Sequence, residues 1–137
     1  MSRIKIFIDG HEGTTGLRIQ DRLSAREDIE LLPIADEKRK DADERRRLIN
    51  AADFVFLCLP DAAARESVSL IENDHVRVLD TSTAHRTKDD WVYGLPEMSE
   101  SQREKVISAS RLAVPGCHAT GVILLTKPLL EAGLLPK

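Results

Sequence analysis

Short apolar runs recur along this chain, and each is followed by a turn signal and then by a stretch with helical spacing. This alternation constrains the fold more than any other feature. Arg3–Ile8 reads as a strand with a β-branched core, and Leu17–Leu23 as a short amphipathic helix. Ile29–Ile34 is a second strand, with Pro33 pointing to an edge position or an early end. The charged segment Asp36–Lys40 leads into a helix carrying Leu48, Ile49 and Ala52. Asp53–Leu59 is a third strand, apolar without a break from Phe54 on, as a buried parallel strand should be. Pro60-Asp61 opens a helix with Ala64, Val68 and Ile71 on one face. Val76–Leu79 is a fourth strand, and a polar loop follows from Asp80 to Tyr93. Ser99-x-x-Gln102 has the form of a capping box for a helix ending near Ile107. Arg111–Val114 is the last strand, and the last helix starts at Cys117 and is expected to kink or stop at Pro128. Strands alternating with helices predict an α/β fold, a doubly wound parallel sheet of Rossmann type.

Ligands of such sheets bind at the carboxyl ends of the strands. There the first strand runs into Gly10-x-x-Gly13-x-x-Gly16 and then a helix. Glycines permit a tight turn and close approach to a pyrophosphate, which the following helix N-terminus faces. The spacing is not G-x-G-x-x-G, so the position after the strand carries the assignment more than the pattern does. Gly10, Gly13, Thr14, Thr15 and Gly16 are the candidate phosphate-binding residues, with Leu59 and Pro60 after the third strand. Asp36 lies about 20 residues past the loop, where a carboxylate would take a ribose 2'-hydroxyl and favour NAD. Lys38 and Arg39 beside it would accommodate a 2'-phosphate and favour NADP, or else are surface residues of the next helix.

Val114-Pro115-Gly116-Cys117 places a thiol where an apolar strand meets an apolar helix. The positive end of a helix favours a thiolate, and its free N–H groups can hold an oxyanion. A lone cysteine is more often a buried structural residue. The Pro-Gly before Cys117, and its place at the same sheet edge as the glycine loop, favour a nucleophile. A nucleotide and a thiol at one edge suggest a dehydrogenase working through a thioester. Cys58, in Phe54–Leu59, reads as a core residue, and Arg45-Arg46-Arg47 as a solvated helix face.

The 137 residues fit one domain, and the net charge of −3 gives no argument for nucleic acid or membrane. No apolar stretch spans a bilayer and no signal peptide opens the chain. Two cysteines without a secretory signal suggest reduced thiols in the cytoplasm. No metal is expected.

Gly10–Gly16, Cys58-Leu59-Pro60-Asp61, Asp80-Thr81-Ser82-Thr83-Ala84-His85-Arg86, Tyr93-Gly94-Leu95-Pro96-Glu97 and Pro115-Gly116-Cys117 together resemble the amino-terminal half of the N-acetyl-gamma-glutamyl-phosphate reductases. These are the NADP-dependent enzymes of arginine biosynthesis. The likeness is to the shorter form of that family. Val114 and His118-Ala119 depart from the longer form, which often has asparagine and Tyr-Pro there. The resemblance implies that Cys117 attacks an acyl phosphate and expels phosphate, and that the thioester is reduced by NADPH to the semialdehyde. Arg86 suits a phosphate or carboxylate, or else forms a surface ion pair. Ser82 either donates to substrate or caps its loop, and Glu97 either orients other groups or is structural.

The resemblance also implies NADP as cofactor and an enzyme about twice this length, whose second domain carries a histidine acid–base. Residues 1–116 are then the nucleotide-binding domain, and residues 117–137 the cysteine helix and the start of a substrate domain. Such a fragment should bind nucleotide, lack full turnover and self-associate, as a homo-oligomer, through uncovered apolar surface. Among the histidines, His85 could approach the cysteine from its loop. His11 fits a turn beside the cofactor and His75 a surface loop, while His118 is adjacent to Cys117 and should not face it. Two other readings stay open: a semialdehyde dehydrogenase acting on aspartyl phosphate, and a non-catalytic nucleotide-binding or redox-sensing module.

Overall fold

The computed structural model describes residues 3–136. Six strands, β1 (Ile4–Asp9), β2 (Ile29–Leu32), β3 (Phe54–Leu57), β4 (Arg77–Asp80), β5 (Val92–Tyr93) and β6 (Arg111–Ala113), form one sheet in the order β2-β1-β3-β4-β6-β5. Every pairing is parallel. Five helices connect or follow them: α1 (Thr14–Ser24), α2 (Ala42–Ala51), α3 (Asp61–Ser69), α4 (Glu100–Ser108) and α5 (Cys117–Glu131). The doubly wound parallel sheet is therefore observed. The chain leaves β1 in one direction to reach β2 and returns past it to β3, so the switch point lies between β1 and β3.

Alternation along β1 shows why both faces must be covered. Ile6 and Ile8 pack with Ile29 against Ile19 and Leu23 of α1. Phe7 points the other way, into a larger cluster with Val55, Leu57 and Val78, closed by Leu48 and Ile49 of α2 and Ala64 of α3. A sheet buried on both sides satisfies its backbone groups only by strand pairing, which favours the parallel crossover arrangement.

β2 ends one residue before Pro33, the early end the proline allowed, and it also lies at the sheet edge. Three elements differ from expectation. The segment 80–93 is not a simple polar loop. It buries Ala84, His85 and Trp91, the last two with rings stacked 4.1 Å apart, and it ends in the short edge strand β5. Ser99 accepts from the Gln102 N–H, but the Gln102 amide donates to the Tyr93 carbonyl instead of closing a reciprocal box. The last helix continues past Pro128 to Glu131. Proline there removes one hydrogen bond, that to the Leu124 carbonyl, on an exposed stretch where water can replace it.

Among the described residues no helix is long and apolar enough to cross a membrane. Leu57, central in the sheet and 1% exposed, is the sharpest test of this core. Leu57→Ala should lower unfolding free energy by about 2–5 kcal/mol, read by urea denaturation followed by circular dichroism.

Candidate active site

The glycine loop is shaped by backbone contacts. Gly10 has φ +87°, and a Cβ there would run into the carbonyl of Cys58, at the end of β3. Gly16, buried in the first turn of α1, lies against the Gly10 carbonyl and within 2.7 Å of His11 Cα for any added Cβ. Gly13 is different: a Cβ would be 3.7 Å from its nearest neighbour. It is the N-cap of α1 and has no side chain to accept from the first-turn N–H groups, and the turn carries no acidic residue. Those N–H groups stay open to an anion.

Of the grooves beside this loop, two bring together most of the candidate residues. The first, about 450 Å³, lies beyond β2 and is lined by Gly10, Asp36, Arg39 and Leu59 among others. Arg39 forms an ion pair with Glu12 and donates to the Asp36 carbonyl, so its guanidinium is tied into the groove wall. Lys38 does not line this groove, and Lys40 does. The single 3-10 turn Asp36–Lys38 rotates Lys38 away, so that its charge acts on Glu44 of α2. Ligand atoms of His11, Glu12 and Asp36 lie within 4.8 Å of one another, with the Arg39 guanidinium already paired to Glu12. Pro60, exposed, is the N-cap of α3 and holds the end of the β3 turn.

The second groove, about 550 Å³, is lined by Thr15, Thr81, Arg86, Gly116, Cys117 and their neighbours. Thr15 and Cys117 thus face one space from two different helix N-termini. Cys117 is exposed and opens α5 after Gly116, an N-cap without a capping side chain. Arg86 donates from Nε to the Val114 carbonyl (3.1 Å) and from Nη2 to the Thr81 carbonyl (3.0 Å). Nη1 is left over Gly116, where a Cβ would come within 2.8 Å of it. Arg86 is therefore held by backbone carbonyls, not by a surface carboxylate.

The loop carrying Arg86 is fixed from below. Asp80, fully buried, accepts from the Ser82 N–H (2.9 Å) and hydroxyl (2.7 Å) and lies 2.6 Å from His85 Nδ1. Ser82 Oγ also accepts from the Ala84 N–H. Its hydroxyl proton is committed to Asp80, so Ser82 shapes the loop instead of offering a free donor. His85, buried between Asp80 and Trp91, does not approach Cys117 as an acid–base. Thr83 donates its hydroxyl (2.6 Å) and N–H (3.0 Å) to Asp61 at the start of α3, which holds the Asp61 carboxyl below its ordinary value.

A family model for the semialdehyde dehydrogenase NAD-binding domain matches residues 5–106. The chain belongs to this family. The curated protein "N-acetyl-gamma-glutamyl-phosphate reductase 2" from a Nostoc species is 55% identical over 99% of the chain, and an N-acetyl-gamma-glutamyl-phosphate reductase from a Chelativorans species is 58% identical over 96%. The chain spans 42% and 43% of the length of these two relatives. Among solved structures, aspartate semialdehyde dehydrogenase from Francisella tularensis aligns with TM-score 0.66 at 17% identity, over 95% of this chain and 41% of that one. The Candida albicans enzyme, solved with NADP, aligns with TM-score 0.63 at 17% identity, over 96% of this chain and 48% of that one. Those two likenesses bear on the fold.

Two further readings of the sequence are corrected. Arg45 is not on a solvated face. It is 6% exposed and binds Asp9 and Ser67 beneath the glycine loop. His118, adjacent to Cys117, does meet it: Nδ1 lies 3.5 Å from Sγ, because both side chains sit on the exposed first turn and are free to fold toward each other. Cys58 is half-buried and packs against the α1-side cluster, as a core residue should. Burial pushes its thiol up, opposed by a hydrogen bond with Thr81 and reinforced by the Asp9 and Asp80 carboxylates. His75 is exposed beside Asn73, and His11 lines the groove.

The glycine geometry makes a graded prediction. Gly16→Ala gains about 1 kcal/mol of helix propensity but forces backbone apart at about 1–3 kcal/mol, so it should lower the melting temperature. Gly13→Ala meets only ordinary contact and should cost less than about 1 kcal/mol. Thermal unfolding of the two variants side by side checks the order.

Proposed function

We propose that this chain is the nucleotide-and-thiol half of an N-acetyl-gamma-glutamyl-phosphate reductase, which converts N-acetyl-glutamyl 5-phosphate to the semialdehyde through a thioester on Cys117. The observation that carries this reading is the single groove shared by Thr15 of the glycine-loop helix and Cys117. Relatives more than half identical carry that enzyme name, whereas the aspartate semialdehyde dehydrogenase structures are 17% identical. That contrast favours the N-acetyl-glutamyl substrate over aspartyl phosphate.

The residues present fit a dinucleotide. The cradle formed by Gly10 and Gly16 and the uncapped α1 N-terminus would take the pyrophosphate, with Gly13 leaving room for close approach. The groove on the Asp36 side would take the adenosine end, with Arg39 and Lys40 supplying cations for a 2'-phosphate. We therefore read the cofactor as NADP, in line with the NADP found in the Candida albicans enzyme. Lys38 is dropped from this set and Lys40 takes its place. When bound, NADPH supplies a hydride to the acyl carbon.

On the other side of the loop, the Cys117 thiolate adds to the acyl carbon to form the C–S bond, and the tetrahedral oxyanion then collapses, breaking the C–O bond and releasing phosphate. Open N–H groups of the first turn of α5 face the oxyanion that forms on the way. Arg86 Nη1 meets the phosphate or carboxylate of the substrate from above Gly116. Ser82 contributes through Asp80 and the loop, not as a substrate donor. After reduction the C–S bond breaks, freeing the semialdehyde and restoring Cys117.

Residues 1–116 form the nucleotide unit in this reading, and residues 117–137 begin the substrate unit. Val122, Leu124, Leu125, Leu129 and Leu130 of α5 are exposed, which supports a further apolar partner for this helix, whether substrate domain or second subunit. Two free cysteines support a reducing, cytoplasmic setting.

Mixing the protein with freshly generated N-acetyl-glutamyl phosphate and quenching in acid should give an intact mass raised by one N-acetyl-glutamyl group. Cys117→Ser should give no adduct, and Arg86→Met should acylate about 10²-fold more slowly. Faster acylation by aspartyl phosphate would favour the aspartyl enzyme. No adduct with either acyl phosphate would favour a non-catalytic module.

A further inference from the structure

Asp9 ends β1 immediately before the glycine loop and lines the groove assigned above to the adenosine end. It is 5% exposed, and one of its oxygens, Oδ2, receives three hydrogen bonds. Arg45 donates from Nε (3.2 Å) and Nη2 (3.1 Å), and Ser67 donates its hydroxyl (2.7 Å). Arg45 Nη2 also donates to Ser67 Oγ (2.6 Å), and Nη1 to Glu66 (3.1 Å). Three elements are tied by this network: the end of β1, α2 and α3.

A buried ion pair of this kind is no more stabilising, as a rule, than apolar side chains of similar volume. Its charge arrangement is more informative. The groove is lined by four carboxylates, Asp9, Glu12, Asp36 and Glu37, and by two cations, Arg39 and Lys40. An anionic ligand entering it meets an excess of negative charge. Asp9 is the buried member of that set, where low dielectric makes charge most costly. Arg45 stands behind Asp9 and does not line the groove itself.

We propose that Arg45 is a positioning residue for the dinucleotide, cancelling the charge of Asp9 so that this acidic groove accepts an anionic nucleotide. The inference rests on the nucleotide reading given above. It makes the two partners of one ion pair act in opposite directions. Losing Arg45 leaves a bare buried carboxylate under the ligand. Losing the Asp9 charge leaves Arg45 paired to Glu66 alone and removes one negative charge from under the ligand.

The test is NADPH affinity, measured by fluorescence titration at low and at physiological salt, alongside melting temperature. Arg45→Met should bind NADPH at least about tenfold more weakly. Asp9→Asn keeps the shape and an acceptor oxygen for Arg45 and Ser67, and it should bind at least as tightly as the unsubstituted protein. Asn50→Ala serves as the stability control. It removes hydrogen bonds that also join α2 to the end of α3, at Leu70, Glu72 and Asn73, without touching Asp9. That variant should melt lower with affinity unchanged. Equal losses of affinity in Arg45→Met and Asp9→Asn would overturn the inference and leave a purely structural pair. An Arg45→Met variant that binds as well as the parent would do the same. If Arg45→Met does not fold, a loss of affinity in Asp9→Asn alone overturns it. Failure of the unsubstituted protein to bind NADPH would instead remove the nucleotide reading, and this inference with it.

Discussion

The site depends on a close stack of backbone at the switch point of the sheet. The Cys58 carbonyl, Gly10 and Gly16 lie so near one another that neither glycine has room for a Cβ. The Cys58 N–H donates to the Asp9 carbonyl at 2.8 Å, which carries the sheet pairing right up to the loop. Because β1 and β3 are packed this tightly, α1 starts at a fixed point above them, and its open N–H groups are aimed before any ligand arrives. Preorganisation of this kind is what lets a few backbone dipoles compete with water for an anion.

A second helix N-terminus is brought to the same edge by a different route. β6 pairs with β4, and the Val114 N–H donates to the Asp80 carbonyl (2.8 Å), so Pro115-Gly116 leaves the sheet beside the Asp80 loop. That loop is rigid because Asp80 collects Ser82 and His85 while Asp61 collects Thr83. Arg86 then closes the gap by donating to both sides of it, at Thr81 and Val114. The Cys117 groove therefore has a floor of satisfied hydrogen bonds. Its open donors include Arg86 Nη1 and the first turn of α5, a set suited to an anion.

Much of this was legible in the sequence. Strand positions, the edge place of β2, the glycine loop, the start of α3 at Asp61 and the start of α5 at Cys117 all follow from apolar runs and punctuation by Gly and Pro. Four features were hidden for physical reasons. Arg45 lay in an arginine run, and charge suggested solvent. Its spacing to Leu48, Ile49 and Ala52 nevertheless placed it on the buried face of α2, a helical signal that was present and outweighed. Lys40, and not Lys38, lines the groove because one 3-10 turn, too short for a periodicity argument, sets their directions. The short strand β5 and the burial of His85 and Trp91 are products of tertiary packing in a segment whose composition is polar. The contact between His118 and Cys117 escaped a rule that describes helix interiors, not first turns.

The central claim is that the glycine loop and Cys117 serve one site. The most direct measurement is the rate of iodoacetamide alkylation at neutral pH, followed by intact mass and peptide mapping, with and without NADPH. The account predicts a single fast modification at Cys117, with Cys58 untouched, and a clear slowing when NADPH is present. Alkylation of Cys117 no faster than a free thiol and indifferent to NADPH would contradict it.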